Sequence, residues 1–253
     1  MKMEDFRLDG KVALITGGGG MGRATALRIL EESGKVVLTD FSQAALSKLK
    51  KEFEALGYAQ RVLLVPSDVR RYEDCCQTVQ QGIEAFGKID VLVTTAGILR
   101  HHPISELTEE DWRDVIDINL TGTYHSVKAV VEHMKQRRYG RIVLISSIGG
   151  RTGRPGVGVN YAAAKGGVVG MTQLLGFELG PWGITVNCVA PGPIGGGMFK
   201  SLPASDQERL LQGIRLGRIG TFEDAAAAIA FLGSDDASWT TGEVLDVNGG
   251  LQY

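Results

Sequence analysis

The architecture of this chain turns on the run Val12-Ala13-Leu14-Ile15-Thr16-Gly17-Gly18-Gly19-Gly20-Met21-Gly22. A short apolar stretch that stops abruptly at a run of glycines reads as a strand buried on both faces, as in a parallel sheet. Beyond the glycines, Ala24, Leu27, Ile29 and Leu30 mark the apolar face of a helix that stops near Ser33-Gly34. Val36-Val37-Leu38-Thr39 then reads as a second buried strand, ending at Asp40. Strand, helix and strand make a βαβ unit in which Gly17, Gly19 and Gly22 satisfy G-x-G-x-x-G. Glycine there lets backbone N–H groups and the helix start approach a pyrophosphate, where the helix dipole favours negative charge. Asp40 follows Gly22 by 18 residues, near the distance for a carboxylate that binds the adenosine ribose hydroxyls. The same carboxylate repels a 2′-phosphate, so the pattern favours NAD(H) over NADP(H). Arg23 has two readings: a cation that softens this preference, or a solvated side chain at a helix start.

The alternation continues to the end of the chain. Ala45, Leu49, Phe53 and Leu56 share a helix face, and residues 62–65 form the third strand, followed by Asp68-Val69. Asp68 is placed either to accept from an adenine amino group or to cap its own turn. A helix over about 75–86 leads to Val91-Leu92-Val93, which closes in Thr94-Thr95-Ala96-Gly97, small enough for a ligand to approach closely. His101 and His102 follow in a loop and read as surface residues on the ligand side of the sheet. Thr108-Glu109-Glu110-Asp111 is a capping pattern that opens a long helix, with Trp112, Val115, Ile118, Leu120, Val127 and Val130 towards the core and a polar Asn119 in its middle. Residues 141–145 and 184–190 are the fifth and sixth strands, and 244–247 the seventh. Seven strands with intervening helices predict an α/β fold, a doubly wound parallel sheet in a single domain over 1–253. The glycine-flanked polar segment within about 193–221 is either a lid over a substrate or a surface excursion.

Asn160-Tyr161-Ala162-Ala163-Ala164-Lys165 holds the chemistry. On a helix, Tyr161 and Lys165 share one face, and a nearby ammonium lowers a phenol's pKa, so Tyr161 is a candidate general acid or base. Ser147, at the carboxyl end of the fifth strand, lies on the same side of the sheet, where a hydroxyl and a phenol can share one carbonyl oxygen. Composition sets limits on function. A net charge of −2 gives no basic field for nucleic acid, and no run has the length of a signal peptide core or membrane span, so a soluble, cytoplasmic protein is expected. Cys75, Cys76 and Cys188 read as reduced thiols, and the four histidines form no metal-ligand pattern.

Taken in order, Thr16 to Gly22, Asp40, Asp68, Ala96-Gly97, Asn119, Ser147, Tyr161, Lys165, Pro191-Gly192 and Asn248-Gly249-Gly250 resemble the short-chain dehydrogenase/reductase (SDR) family over essentially the whole chain. The resemblance implies a Rossmann-type fold, usually tetrameric, that moves hydride between a nicotinamide and a carbonyl or secondary alcohol, with NAD(H) as cofactor and a small alcohol or ketone as substrate. It implies that Tyr161 is the proton donor or acceptor and that Ser147 bonds the substrate oxygen. Lys165 would bind the nicotinamide ribose and lower the tyrosine pKa, and Asn119 would hold a water relay to the lysine. It places cofactor contacts at Gly17, Gly20, Met21, Gly22, Asp40, Phe41, Asp68, Val69, Ala96, Gly97, Tyr161, Lys165, Pro191, Gly192 and Ile194, and substrate contacts at Ile148, Gly149 and Met198. The helices carrying Asn119 and Tyr161, and the chain end near Tyr253, would form the subunit interfaces.

Three departures stand out. The family's T-G-x-x-x-G-x-G is one residue short, its N-N-A-G is Thr94-Thr95-Ala96-Gly97, and the step from Ser147 to Tyr161 is one residue longer than the commonest form. Similarity to 3-oxoacyl-carrier-protein reductases makes a β-ketoacyl thioester an alternative substrate, although an acid at position 40 fits poorly with the NADPH most of those enzymes use. A small hydroxy or keto compound, sugar-like or alicyclic, is the preferred expectation. A dinucleotide-sensing protein without turnover is the rival from another class, and the complete set of Asn119, Ser147, Tyr161 and Lys165 argues against it.

Overall fold

Every apolar run singled out in the sequence is a strand, and all seven lie parallel in one sheet. The computed structural model describes residues 7–153, 156–196, 199 and 204–251, so Met198 and Tyr253 lie outside the described residues. The strands are β1 (Val12–Thr16), β2 (Lys35–Asp40), β3 (Val62–Pro66), β4 (Val91–Thr94), β5 (Gly140–Ile145), β6 (Ile184–Pro191) and β7 (Val244–Val247). Their order is β3-β2-β1-β4-β5-β6-β7. The helices are α1 (Gly20–Glu31), α2 (Gln43–Ala55), α3 (Tyr72–Phe86), α4 (Glu109–Ile116), α5 (Gly122–Arg137), α6 (Ile148–Arg151), α7 (Val159–Leu179), α8 (Ala204–Gly213) and α9 (Phe222–Leu232). Strand order reverses between β1 and β4, which opens a crevice beyond the carboxyl ends of these two strands.

Alternate residues of each strand feed two cores. Ala13, Ile15, Val36, Leu38, Val143 and Val189 pack on one face with α1, α2 and α9. Val12, Leu14, Val37, Ile142, Leu144 and Val186 pack on the other with α3, α5 and α7. Burial on both sides explains why these strands read as unbroken apolar runs and not as alternating ones. A fully buried aliphatic side chain such as Ile15 contributes about 1.5–3 kcal/mol relative to exposure.

The helix ends follow the sequence cues in the main. Thr108 caps α4 by accepting from the Asp111 N–H at 3.0 Å. Thr221 and Asp224 form a capping box on α9. Two expectations are corrected. The long helix opened by Thr108 is interrupted by a π-helical turn at Asp117–Thr121, where the ladder shifts to accommodate Asn119. Trp112 and Leu56 do not join the core: Leu56 lies just beyond α2, and both are exposed. Cys75, Cys76 and Cys188 are free thiols. No helix among the described residues is long and apolar enough to cross a membrane.

Candidate active site

A parallel sheet brings all its strand carboxyl ends to one edge, so residues distant in sequence meet there. The turn after β1 is shaped by two glycines. Gly17 has φ +84°, a left-handed conformation that favours glycine, and its N–H donates to the Thr39 carbonyl at 2.8 Å. A Cβ on Gly22 would stand 1.9 Å from the Gly17 carbonyl oxygen, so only glycine lets α1 start this close to the turn. α1 is capped by Gly19 with no side-chain hydrogen bond among the described residues, leaving first-turn N–H groups for an anion. Thr95 supports the turn from β4: its hydroxyl lies 2.6 Å from the Thr16 carbonyl and 3.0 Å from that of Gly17.

Asp40 ends β2 beside this turn. One carboxylate oxygen accepts from the Gly18 N–H and the other from the Ser42 N–H, each at 2.8 Å. The acid is thereby fixed at the edge of the glycine loop. Phe41 follows it and is largely exposed. Arg23 is not simply solvated, because Glu52 of α2 binds it through Nε and Nη2. Asp68 caps its own turn at the Arg70 N–H and binds the Arg70 guanidinium, the second of its two readings. Val69 is buried, with Gly122 packed against it.

A cleft of about 300 Å³ runs from the start of α1 across the β4 and β5 ends. It brings together Gly20, Met21, Gly22, Gly97, Asn119, Ser147, Tyr161, Lys165, Pro191, Gly192 and Ile194, most of the residues expected to share a site. Asn119 is fully buried, and its Nδ2 donates to the carbonyls of Ile98 (3.0 Å) and Val115 (2.9 Å). Its Oδ1 has no partner among the described residues. A Cβ on Gly97 would stand 2.6 Å from that oxygen and 3.7 Å from Lys165 Nζ, so glycine leaves the space beside both groups open. A buried acceptor in this position is suited to a water or ligand donor.

Lys165 is 4% exposed and donates to the Ile145 carbonyl at 2.8 Å. Burial lowers its pKa to about 8. Its Nζ lies 5.8 Å from the Tyr161 ring centre. Burial raises the Tyr161 phenol above its ordinary value, and a hydrogen bond with Ser147 draws it part of the way back. The expected depression by Lys165 is therefore absent from the chain alone, where the ammonium is turned towards Ile145. Ser147 Oγ also accepts from the Gly149 N–H at 3.1 Å, which fixes the turn into α6.

Asn160 directly precedes the tyrosine. It is fully buried, its Oδ1 accepts from the Tyr161 N–H at 2.8 Å, and its Nδ2 donates to the Asp111 carbonyl at 3.1 Å. It ties the start of α7 to α4. Phe222 also lines the cleft, and a Cβ on Gly20 or Gly196 would meet its ring at 2.2 or 2.5 Å. No local pattern signals this contact, since Phe222 comes from the far end of the chain.

Neither Ile148 nor Gly149 is on the wall of this cleft. Ile148 is buried with Ile214 and Leu251, and Gly149 faces Val157. The segment with the two readings, lid or surface excursion, is pinned at its neck, where Gly195 donates to Gly220 (2.9 Å) and Gly220 to Pro193 (3.0 Å). Between these points its described part carries α8 and packs Ile214 beside Ile148. Residues 197, 198 and 200–203 lie outside the described set.

A family model described as Enoyl-(Acyl carrier protein) reductase matches residues 17–252. The (2S)-[(R)-hydroxy(phenyl)methyl]succinyl-CoA dehydrogenase subunit BbsD of Thauera aromatica is 43% identical over 247 residues, 96% of this chain and 97% of that protein. The 3-oxoacyl-[acyl-carrier-protein] reductase FabG of Thermotoga maritima is 42% identical over 248 residues, 97% of this chain and 99% of that one. The chain belongs to the short-chain dehydrogenase/reductase family. The crystal structure of levodione reductase superimposes on this SDR with a TM-score of 0.90 and 34% identity, covering 96% of this chain and 98% of the other. As an SDR the protein is an oxidoreductase of the class that uses a nicotinamide dinucleotide.

Proposed function

We propose that this SDR is an NAD(H)-dependent oxidoreductase that interconverts a secondary alcohol and a ketone, with Tyr161 as general acid and base. The observation that carries the reading is the junction of two halves in one cleft. A glycine-lined helix start faces Tyr161, which is hydrogen-bonded to Ser147 and one helical turn from Lys165. The residues fit a dinucleotide: at Gly17 and Gly22 the turn after β1 has room only for glycine, uncapped N–H groups lie at the start of α1, and Asp40 is fixed beside the loop where a ribose diol would find an acceptor. When bound, the nicotinamide supplies or accepts the hydride.

The chain's own groups handle the oxygen and its proton. In reduction, the Ser147 hydroxyl donates to the carbonyl oxygen and holds it within reach of Tyr161, which delivers the proton. In oxidation, Tyr161 takes the hydroxyl proton. Lys165 supplies a positive charge near the phenol and holds the ribose, and Asn119 Oδ1 accepts from a water that links the lysine to solvent. A homotetramer without a nucleic-acid or membrane partner is part of the same reading.

A small alicyclic or sugar-like ketone is the preferred substrate, and the likeness to levodione reductase supports it. A 3-oxoacyl thioester is the second reading, favoured by the names of the two relatives above. Oxidation of NADH and NADPH at equal concentration, against a panel of alicyclic ketones, ketoses and a β-ketoacyl thioester, tests both. Turnover with NADH is expected. A clear preference for NADPH would overturn the cofactor assignment, and binding without turnover across the panel would favour a sensing role.

A further inference from the structure

We propose that Glu52 is a positioning residue for cofactor choice: it binds Arg23 and withholds that cation from a ribose 2′-phosphate, reinforcing the NAD(H) preference set by Asp40. The inference rests on the proposed reading of the glycine loop as a dinucleotide site. Arg23 stands one turn into α1, its N–H donating to the Gly19 carbonyl at 2.8 Å. The adjoining Gly18 N–H is bonded to Asp40. On α2, Leu49 packs against Gly18, where an added Cβ would stand 2.8 Å from Cδ1, and Glu52 is the next residue along that helix face. Glu52 thus comes to the α1 start on the side that carries Gly18 and Asp40.

Both Glu52 oxygens lie 2.9 Å from Arg23 Nε, and Nη2 binds Oε1 as well. The side chains are 41% and 30% exposed, so a ligand in solvent can compete for the guanidinium. Carboxylate and phosphate both suit the planar donor fork of arginine. Glu223, in the first turn of α9, adds to the negative field at Arg23. A 2′-phosphate beside Asp40 would therefore meet that carboxylate and an Arg23 already bound to Glu52.

The test is titration of the full-length protein with NAD+ and with NADP+, followed by quenching of intrinsic fluorescence. Wild type, Glu52→Gln, Asp40→Ser and the double variant are compared, with Arg23→Ala added to the double variant. Glu52→Gln is expected to leave the NAD+ Kd within about twofold and to lower the NADP+ Kd roughly fivefold to tenfold in the Asp40→Ser background. Arg23→Ala should abolish that gain. An unchanged ratio of the two Kd values in both backgrounds, with NAD+ still bound, would overturn the proposal, as would a gain that survives Arg23→Ala. Failure of the NAD(H) reading would show separately, as tighter NADP+ binding by wild type. The change caused by Glu52→Gln still decides the role of Glu52 in that case.

Discussion

Burial pushes Tyr161 and Lys165 towards their neutral forms, raising the phenol and lowering the ammonium to about 8. The sign of the pH dependence follows. Below about 8 Lys165 keeps its proton and Tyr161 keeps its own, the state required to reduce a carbonyl. As pH rises through that value the lysine loses the positive charge that the proposed mechanism needs near the phenol. Reductive kcat/KM is therefore expected to be level at lower pH and to fall with a midpoint near 8. A profile that stays level up to about pH 10, the ordinary range of both groups, would remove Lys165 from the proton path.

The start of α7 is placed by Asn160, whose two hydrogen bonds bind the Tyr161 N–H and the Asp111 carbonyl. Asn160→Ala leaves both groups without these partners in a buried setting, a loss of about 1–3 kcal/mol in stability. Turnover should fall with it, while cofactor affinity changes little, since Asn160 is not on the cleft wall. Equilibrium unfolding and cofactor titration of the variant check both parts, and an unchanged kcat would contradict the positioning role. On the cleft wall, Thr95 supports the turn after β1 through the carbonyls of Thr16 and Gly17. The hydroxyl was legible in Thr94-Thr95-Ala96-Gly97, but the carbonyls it meets were not, since they belong to another strand end. The Phe222 wedge and the Arg23–Glu52 pair were not legible, since each joins elements whose contact depends on the finished packing.

Across the whole molecule, the sheet was readable because strands buried on both faces must be apolar at every position, and turns at their ends need glycine. The site was readable as an ordered set of residues, each weak alone. The side on which Ile148 lies was not, because a residue after a strand end can turn to the cleft or to the lid base, and here it packs with Ile214 and Leu251. The proposed assembly has apolar surface to cover: Leu174 and Phe177 on α7 are 65% and 84% exposed. With α5 and α7 as the expected interfaces, light scattering should give the mass of four chains for wild type and a smaller species for Phe177→Asp. A monomeric wild type would contradict the tetramer.

The most direct test of the central claim compares Tyr161→Phe with wild type in two measurements on the same preparation: NADH affinity and the rate of ketone reduction. The phenyl ring retains the shape of the side chain and removes only its hydroxyl, the group that carries the transferred proton. Affinity should hold within about twofold while turnover falls by roughly 10²–10⁴-fold. A Phe variant that turns over at the wild-type rate would take Tyr161 out of the mechanism.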